Sequence, residues 1–291
     1  MKYFIDTEFI EGKQDKTFLG IKCGETKPTI DLISIGIVSE SIKYPMKERQ
    51  IGASGFISDL VLREEFRQKE YYAISKDFNL KQAWKNEWVR VNVLLPIFEE
   101  LYEKELSKRK QLNIEFMKES FNIKNFKYLI NVYGKTNKQI AQEIIYFIHI
   151  GSVEDWHRIN VPHLTAGTVT SSPDINESIK QYRPEFYGYY SDYDWVVFCQ
   201  LFGTMMDLPK GFPMYCKDLK QYKNDIENYR DEKGFSLYKR IFNHNPKDEL
   251  AGSEFPVNLE HHSSYPKQAN EHNALSDAKW NYELYKFLNT L

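Results

Sequence analysis

An N-terminal strand that carries two acids is the feature that most limits how this chain folds. Residues 3–10 are rich in aromatic and β-branched side chains, a composition typical of a strand. Because successive strand side chains point to opposite faces, Asp6 and Glu8 share one face with Phe4. Two carboxylates in an apolar strand repel each other and lose hydration, and a divalent cation with oxygen ligands relieves both costs. A solvated edge strand explains the pattern as well, so this pair alone decides nothing.

Further strands and helices alternate along the chain. Apolar and β-branched runs predict strands at residues 29–38, 70–75, 186–190 and 213–219. Helical spacing and capping residues predict helices at residues 94–110, 136–151, 193–205 and 273–288. The stretch 39–69 shows no period, and we interpret it as an insertion at a strand junction; residues 163–178 and 243–269 are irregular. This order favours an α/β fold, a mixed central sheet flanked by helices, in one domain.

The composition restricts how a partner could be bound. The 291 residues carry a net charge of −2, so a nucleic acid would need a local basic groove or metal ions. The three cysteines show no zinc-like spacing, which favours reduced thiols. No signal peptide and no apolar run long enough to cross a bilayer are visible. We therefore expect a cytoplasmic protein without membrane association.

A second acidic motif lies where an aromatic strand gives way to an apolar helix. Asp194 falls near the first turn of that helix, at the end of a buried strand. Taken alone, helix capping is the better explanation, because an acid there interacts favourably with the helix dipole. Asp192 competes for any metal-binding role, and we favour Asp194 because the apolar helical face begins directly behind it.

A third motif precedes and opens the last helix. His272 is expected just before the helix, and Asp277 about one turn inside it. An imidazole beside activated water suits a general base near neutral pH, and a carboxylate on the next turn could complete a metal site. An exposed histidine and a solvated acid are the alternative, but Ala274 and Ala278 favour close packing at this point.

These three motifs occur in an order that is more specific than any one of them, and the chain resembles the DEDDh 3′→5′ exonucleases of the ribonuclease H-like superfamily. The matching stretches resemble the exoribonuclease group that contains the mycobacterial polyadenylate-specific enzyme: MKYFIDTEFIEG, TIDLISIGIVSE, EYYAIS, NEWVRVNVLLP, YDWVVFCQLFG and PKQANEHNALSDAKWN. The resemblance implies a ribonuclease H-like mixed sheet in a single domain, residues 1–291. It fails near residues 43–68, 106–127 and 243–264, which we interpret as insertions.

The resemblance also implies a mechanism with two divalent ions, Mg²⁺ or Mn²⁺, roughly 3.5–4 Å apart. Asp6 would bridge both ions, Glu8 and Asp277 would complete the site of the nucleophilic water, and Asp194 would serve the second ion. His272 would remove a proton from that water. Nucleoside 5′-monophosphates would leave one at a time from the 3′ end of single-stranded RNA or of a 3′ overhang.

Six further residues are expected near the substrate by the same resemblance: Thr7, Phe9, Trp88, Arg90, Lys267 and Gln268. Phe9 would stack on or wedge beside the terminal base, although a core aromatic explains it equally well. Trp88 and Arg90 would contact a phosphate or ribose, and a surface pair without function is the alternative.

Three other functions stay open at this point. A DNA exonuclease of the proofreading or repair type would use the same residues, and only the closer resemblance to exoribonucleases favours RNA over DNA. A nucleic-acid-binding module without catalysis is opposed by the presence of all five catalytic positions. A structural α/β protein would require three coincidental motifs in the right order. The resemblance also leads us to expect a homodimer.

Overall fold

A mixed five-stranded sheet forms the centre of the α/β fold. The computed structural model describes residues 1–19, 21–51, 57–111, 121–160, 183–228 and 258–291. Across the sheet, the strand order is β7 (Glu70–Ile74), β4 (Thr29–Ser39), β1 (Lys2–Gly12), β8 (Glu185–Gly188) and β9 (Lys217–Asp218). Strand β4 runs antiparallel to both of its neighbours, β7 and β1, and β8 and β9 run parallel to β1. The mixed sheet predicted from the sequence is confirmed.

Two hairpins interrupt the connections between sheet strands. The hairpin of β2 (Asp15–Phe18) and β3 (Ile21–Glu25) joins β1 to β4. The hairpin of β5 (Ile42–Ile51) and β6 (Ile57–Arg67) joins β4 to β7, within the stretch 39–69. The sequence predicts an insertion at this strand junction but no strands within it, because strands of a separate hairpin need not show the period-two pattern of a half-buried sheet.

Helices flank the sheet on both faces. They are α1 (Leu80–Lys85), α2 (Glu87–Val89), a π-helical turn (Arg90–Leu94), α3 (Leu95–Gln111), α4 (Ile123–Tyr133), α5 (Asn137–Asn160), α6 (Asp192–Gln200), α7 (Leu219–Asn228) and α8 (Ala274–Leu288). Short 3-10 turns cover Met205–Asp207 and Leu259–His261. None of the described helices is both long and apolar enough to cross a bilayer.

The predicted helices are confirmed, and two of their ends were wrong. α5 continues past Gly151 to Asn160, because a helix tolerates one glycine at a cost of ~1 kcal/mol. α6 stops at Gln200 rather than at residue 205, since Gly203 adopts a left-handed φ of 127° that ends the helix. Of the segment 106–127, residues 106–111 belong to α3 and residues 123–127 to α4, where Phe126 is fully buried. The predicted loop 163–178 and most of segment 243–264 lie outside the described residues.

The central strand β1 packs a different helix set on each face. Tyr3 and Ile5 pack with α5 and α6 on one side. On the other side, Phe4 packs with α7 and α8, and Ile10 packs with α3 and α4. The alternation of a strand therefore places Asp6 and Glu8 between these last two clusters.

Candidate metal centre

Three acids from the two ends of the chain meet on one face of the sheet. One carboxylate oxygen from each of Asp6, Glu8 and Asp277 lies within 4.8 Å of the others. Glu8 and Asp277 are buried and Asp6 is partly buried. An all-oxygen donor set of this kind suits a hard divalent cation such as Mg²⁺ or Mn²⁺.

A glycine opposite the first acid lets the last helix reach the sheet. Gly36 pairs with Asp6 in the β1–β4 register. A Cβ atom at Gly36 would clash with the carbonyl group of Ala274 and would lie 2.5 Å from Cα of Leu275. The first turn of α8 therefore lies directly on β4, which brings Asp277 beside Asp6.

A buried amide fixes the same helix to strand β1. Asn281 donates from Nδ2 to the carbonyl oxygen of Ile5 at 2.9 Å, next to Asp6 in the chain. Neither Gly36 nor Asn281 was predicted from the sequence as a positioning residue. The available signals were an isolated glycine within an apolar strand and an amide four residues after Asp277, on the same helical face.

The fourth acid lies beside this group and is held by the strand. Asp194, in the first turn of α6, accepts hydrogen bonds at Oδ1 from the Thr7 backbone N–H at 2.8 Å and from Thr7 Oγ1 at 2.6 Å. Asp194 is buried, whereas Asp192 is exposed. The structure thus places Asp194, and not Asp192, against β1. It also gives Thr7, expected near the substrate, a direct contact with this acid.

The two strand acids lack compensating partners. No cation or hydrogen-bond donor within the described ranges contacts the carboxylate of Asp6 or Glu8. Burial raises the pKa of Asp6 well above its usual range, and the charges of Asp194, Asp277 and Glu8 raise it further. Burial, with the charges of Asp277 and Asp194, raises the pKa of Glu8 to about 8. Such a cluster takes up protons or a cation near neutral pH.

Hydrogen bonds to the other two acids, Asp194 and Asp277, oppose the rise in their pKa. Burial raises the pKa of Asp194 to about 6, against the opposing effect of the Thr7 donors. Burial also raises the pKa of Asp277, opposed by the Gln268 amide and the His272 backbone. The Gln268 Nε2 donates to Oδ1 of Asp277 at 2.7 Å, and the His272 N–H donates to Oδ2 at 2.9 Å. Gln268, expected near the substrate, therefore orients an acid of the cluster.

The predicted general base lies at the entrance to α8. His272 adopts a left-handed φ of 66°, and Asn273 caps the helix by accepting the N–H of Ser276 at 3.1 Å. The imidazole meets the indole of Trp88 edge-on, with ring centroids 4.7 Å apart. Trp88 is about half exposed, so the pair lies at the surface beside Asp277.

The remaining predicted substrate residues are Phe9, Arg90 and Lys267, and they differ in their position relative to the acids. The ring of Phe9 packs on Tyr193, with centroids 5.7 Å apart, and the half-exposed Tyr193 directly precedes Asp194. Arg90 donates to the Trp84 carbonyl oxygen at 3.1 Å, a contact that does not join it to the acids. Lys267 is exposed, and no contact within the described residues links it to the acids. Sequence reasoning missed Tyr193, which a local pattern would identify only as part of an aromatic run.

A cavity of about 580 Å³ opens elsewhere, at the start of β8. Its lining includes Arg183, Phe212, Tyr215 and Lys217, and none of the four acids. We place the candidate site at the acids rather than in this cavity, because the acids offer carboxylate oxygens that can bind a cation and because their pKa values are raised.

Comparisons with known proteins add no identification. No protein-family model matches the chain, and no curated protein matches it either.

Proposed function

We propose that this protein is a metal-dependent 3′→5′ exoribonuclease that acts on single-stranded RNA or 3′ overhangs. The observation that carries the proposal is the convergence of Asp6, Glu8 and Asp277, with ligand oxygens within 4.8 Å of one another. Asp194, beside them on the neighbouring helix, supplies a fourth carboxylate. A mixed five-stranded sheet with helices on both faces is also compatible with a ribonuclease H-like fold.

The residues present fit a pair of divalent cations. All four donors are carboxylates, and two of them, Asp6 and Glu8, have no counter-charge within the described residues. Zinc sites usually include histidine or cysteine, so the donor set favours Mg²⁺ or Mn²⁺. Asp6, Glu8 and Asp277 would hold one ion, and Asp6 with Asp194 the other. When bound, such ions neutralise the acids, activate water and stabilise charge on the phosphodiester.

The surrounding residues position these groups. Thr7 holds the Asp194 carboxylate through two hydrogen bonds, and Gln268 holds that of Asp277 through one. His272 takes the proton of the attacking water, and its imidazole packs edge-on against the indole of Trp88. Attack on the terminal phosphodiester releases a nucleoside 5′-monophosphate.

One assay tests the proposal against its alternatives. RNA and DNA of one sequence, labelled at the 5′ end, are incubated with Mg²⁺, Mn²⁺ or a chelator. We expect a ladder that shortens from the 3′ end on RNA with metal, and intact RNA with chelator. Equal degradation of DNA would support a DNA exonuclease instead. Binding without cleavage would support an inactive nucleic-acid-binding module.

A matched pair of variants assigns the activity to the cluster. Asp6→Asn keeps the side-chain shape and removes the charge, so we expect turnover to be lost. Asp192→Asn changes an exposed acid on α6, close to Asp194, and should keep the wild-type rate. An active Asp6→Asn protein contradicts the mechanism.

A further inference from the structure

The β2–β3 hairpin presents three exposed apolar side chains at its end. Phe18 is 70% exposed, Leu19 87% and Ile21 74%, and we name these three residues the apolar tip. Burial of apolar side chains of this size stabilises a protein, so three that are exposed together leave a considerable stabilisation unrealised. Clustered exposed apolar residues commonly mark a binding surface.

The base of this hairpin is tightly anchored. The backbone of Gln14 exchanges hydrogen bonds with Thr26, accepting from its N–H at 2.8 Å and donating to its Oγ1 at 2.9 Å. The Gln14 amide, buried, also donates to Thr29 Oγ1 at 2.9 Å and to Asp31 Oδ2 at 2.6 Å. The apolar tip therefore stands on an ordered base.

The hairpin is joined to the candidate metal centre through α1. Asp15, in β2, forms an ion pair of 2.6 Å with Lys85, the last residue of α1. Three residues later, Trp88 contacts the imidazole of His272. The hairpin also continues directly from β1, which carries Asp6 and Glu8. The apolar tip and the acid cluster are therefore linked through neighbouring contacts.

The charge of the hairpin complements a phosphate backbone. Residues 13–27 contain four lysines and only two acids, whereas the whole chain has a net charge of −2. Lys22 pairs with both of these acids, at 2.7 Å from Asp15 and 3.0 Å from Glu25. The remaining lysines of the segment are Lys13, Lys16 and Lys27, and they give the hairpin a net positive charge next to its apolar tip. A positive charge attracts the phosphates of a nucleic acid and repels a basic protein surface.

We infer that the apolar tip is a wedge that packs against the last base pair of a duplex whose 3′ strand enters the acid cluster. The inference rests on the proposed function and specifies its substrate class as structured RNA with a 3′ overhang. Apolar side chains such as Phe, Leu and Ile unstack base steps in other nucleic-acid-binding proteins. A platform for a single strand would instead present successive aromatic rings, and the tip has one, Phe18.

The distance between the acid cluster and the apolar tip determines how short the 3′ overhang must be before the end of the duplex meets the tip. Leu19 follows Glu8 by eleven residues, so the separation is at most ~36 Å for an extended chain at ~3.3 Å per residue. About ten nucleotides at ~3.4 Å each cover that distance. Wild-type enzyme should therefore shorten an overhang to below ten nucleotides and continue into the paired region.

The test compares the wild type with a Phe18→Ser, Leu19→Ser, Ile21→Ser variant on single-stranded RNA and on a duplex with a long 3′ overhang. We expect the variant to degrade single strands at the wild-type rate and to stop at the junction, with at least ~10-fold slower entry into the duplex, equivalent to ~1.4 kcal/mol. Met206→Ser, which alters a similarly exposed apolar residue at 72% exposure outside the hairpin, should behave as wild type.

Two results would overturn the inference. One is entry into the duplex at the same rate by wild type and variant. The other is a change in the oligomeric state of the variant by light scattering, which would make the tip a contact between protein chains. If the wild type degrades no nucleic acid, the proposed function fails by itself. The wedge is then tested by fluorescence anisotropy in chelator, where the variant must lose affinity for the overhang duplex but not for a single strand.

Discussion

Gly36 lies directly against Ala274, so closely that a Cβ atom on the glycine would clash with the carbonyl group of Ala274. Because Gly36 is also paired with Asp6, this contact determines how near α8 comes to the first acid. The candidate metal centre therefore depends on the absence of a side chain on the neighbouring strand.

Gly36→Ala should displace α8 and separate Asp277 from Asp6. Overpacking at such a contact costs about 1–3 kcal/mol, and we expect a loss of Mn²⁺ affinity in addition to a loss of stability. Denaturant unfolding in chelator and calorimetric Mn²⁺ titration measure the two effects. Ile37→Val, on the opposite face of β4, should lower stability by about 1 kcal/mol without changing Mn²⁺ affinity. Unchanged Mn²⁺ affinity in Gly36→Ala would contradict this role of the glycine.

The acid cluster predicts an unusual dependence of stability on pH. The folded-state pKa of Glu8 is raised from 4.5 to about 8, so its favourable contribution is complete below pH 4.5 and is lost as the pH rises through 8. A difference of one in pKa corresponds to ~1.4 kcal/mol, and ~1 kcal/mol moves the Tm of a chain of this size by about 2–4 °C. The Tm measured in chelator should therefore fall by several degrees between pH 5 and pH 8.

Two controls belong to the same experiment. Glu8→Gln should flatten the decline, because the amide has no charge to desolvate. Saturating Mg²⁺ should raise the Tm most at pH 8, where the acids are ionised and bind the cation. A metal-free Tm that rises between pH 5 and pH 8 would show that the acids are not buried together.

The Thr7 hydroxyl should contribute to catalysis through Asp194. Thr7→Val keeps the side-chain shape and removes the donor at 2.6 Å, while the backbone hydrogen bond stays. A hydrogen bond to a charged group contributes about 1.5–3 kcal/mol, so we expect kcat to fall by at least ~10-fold. Thr7→Ser, which restores the hydroxyl, should recover most of the rate. Equal rates for the valine and serine variants would exclude this contribution.

Trp88 should act by orienting His272. Trp88→Ala removes the edge-on contact at 4.7 Å, and we expect a lower kcat with an unchanged Mn²⁺ affinity. Trp88→Phe retains a ring and should recover part of the rate. In a double-mutant cycle, Trp88→Ala should cause little further loss in a His272→Ala background, whereas additive losses would mean that Trp88 acts independently of His272.

Much of the fold and part of the candidate site follow from local sequence patterns. The alternation of β1 predicts that Asp6 and Glu8 share a face, and the helix start predicts His272 just before the helix and Asp277 about one turn inside it. The structure has this strand and this helix. These features depend on residues a few positions apart, where the geometry of strands and helices is regular.

The features that were missed depend on contacts between distant residues. The meeting of Trp88 with His272, the amide of Asn281 on Ile5 and the close approach at Gly36 join segments that are far apart in sequence. No local periodicity encodes such contacts. The β5–β6 hairpin was missed for another reason: it lies outside the main sheet and lacks the pattern by which sheet strands are recognised.

Whether the four acids bind two cations is best tested by a crystal structure of the full chain grown with Mn²⁺, with anomalous scattering used to locate the ions. We expect two anomalous peaks roughly 3.5–4 Å apart, one bound by Asp6, Glu8 and Asp277 and the other by Asp6 and Asp194. Crystals of the Asp6→Asn variant grown under the same conditions should show neither peak. An acid cluster without Mn²⁺ at saturating concentration, or Mn²⁺ bound only at other positions, would show that these acids are not a metal centre.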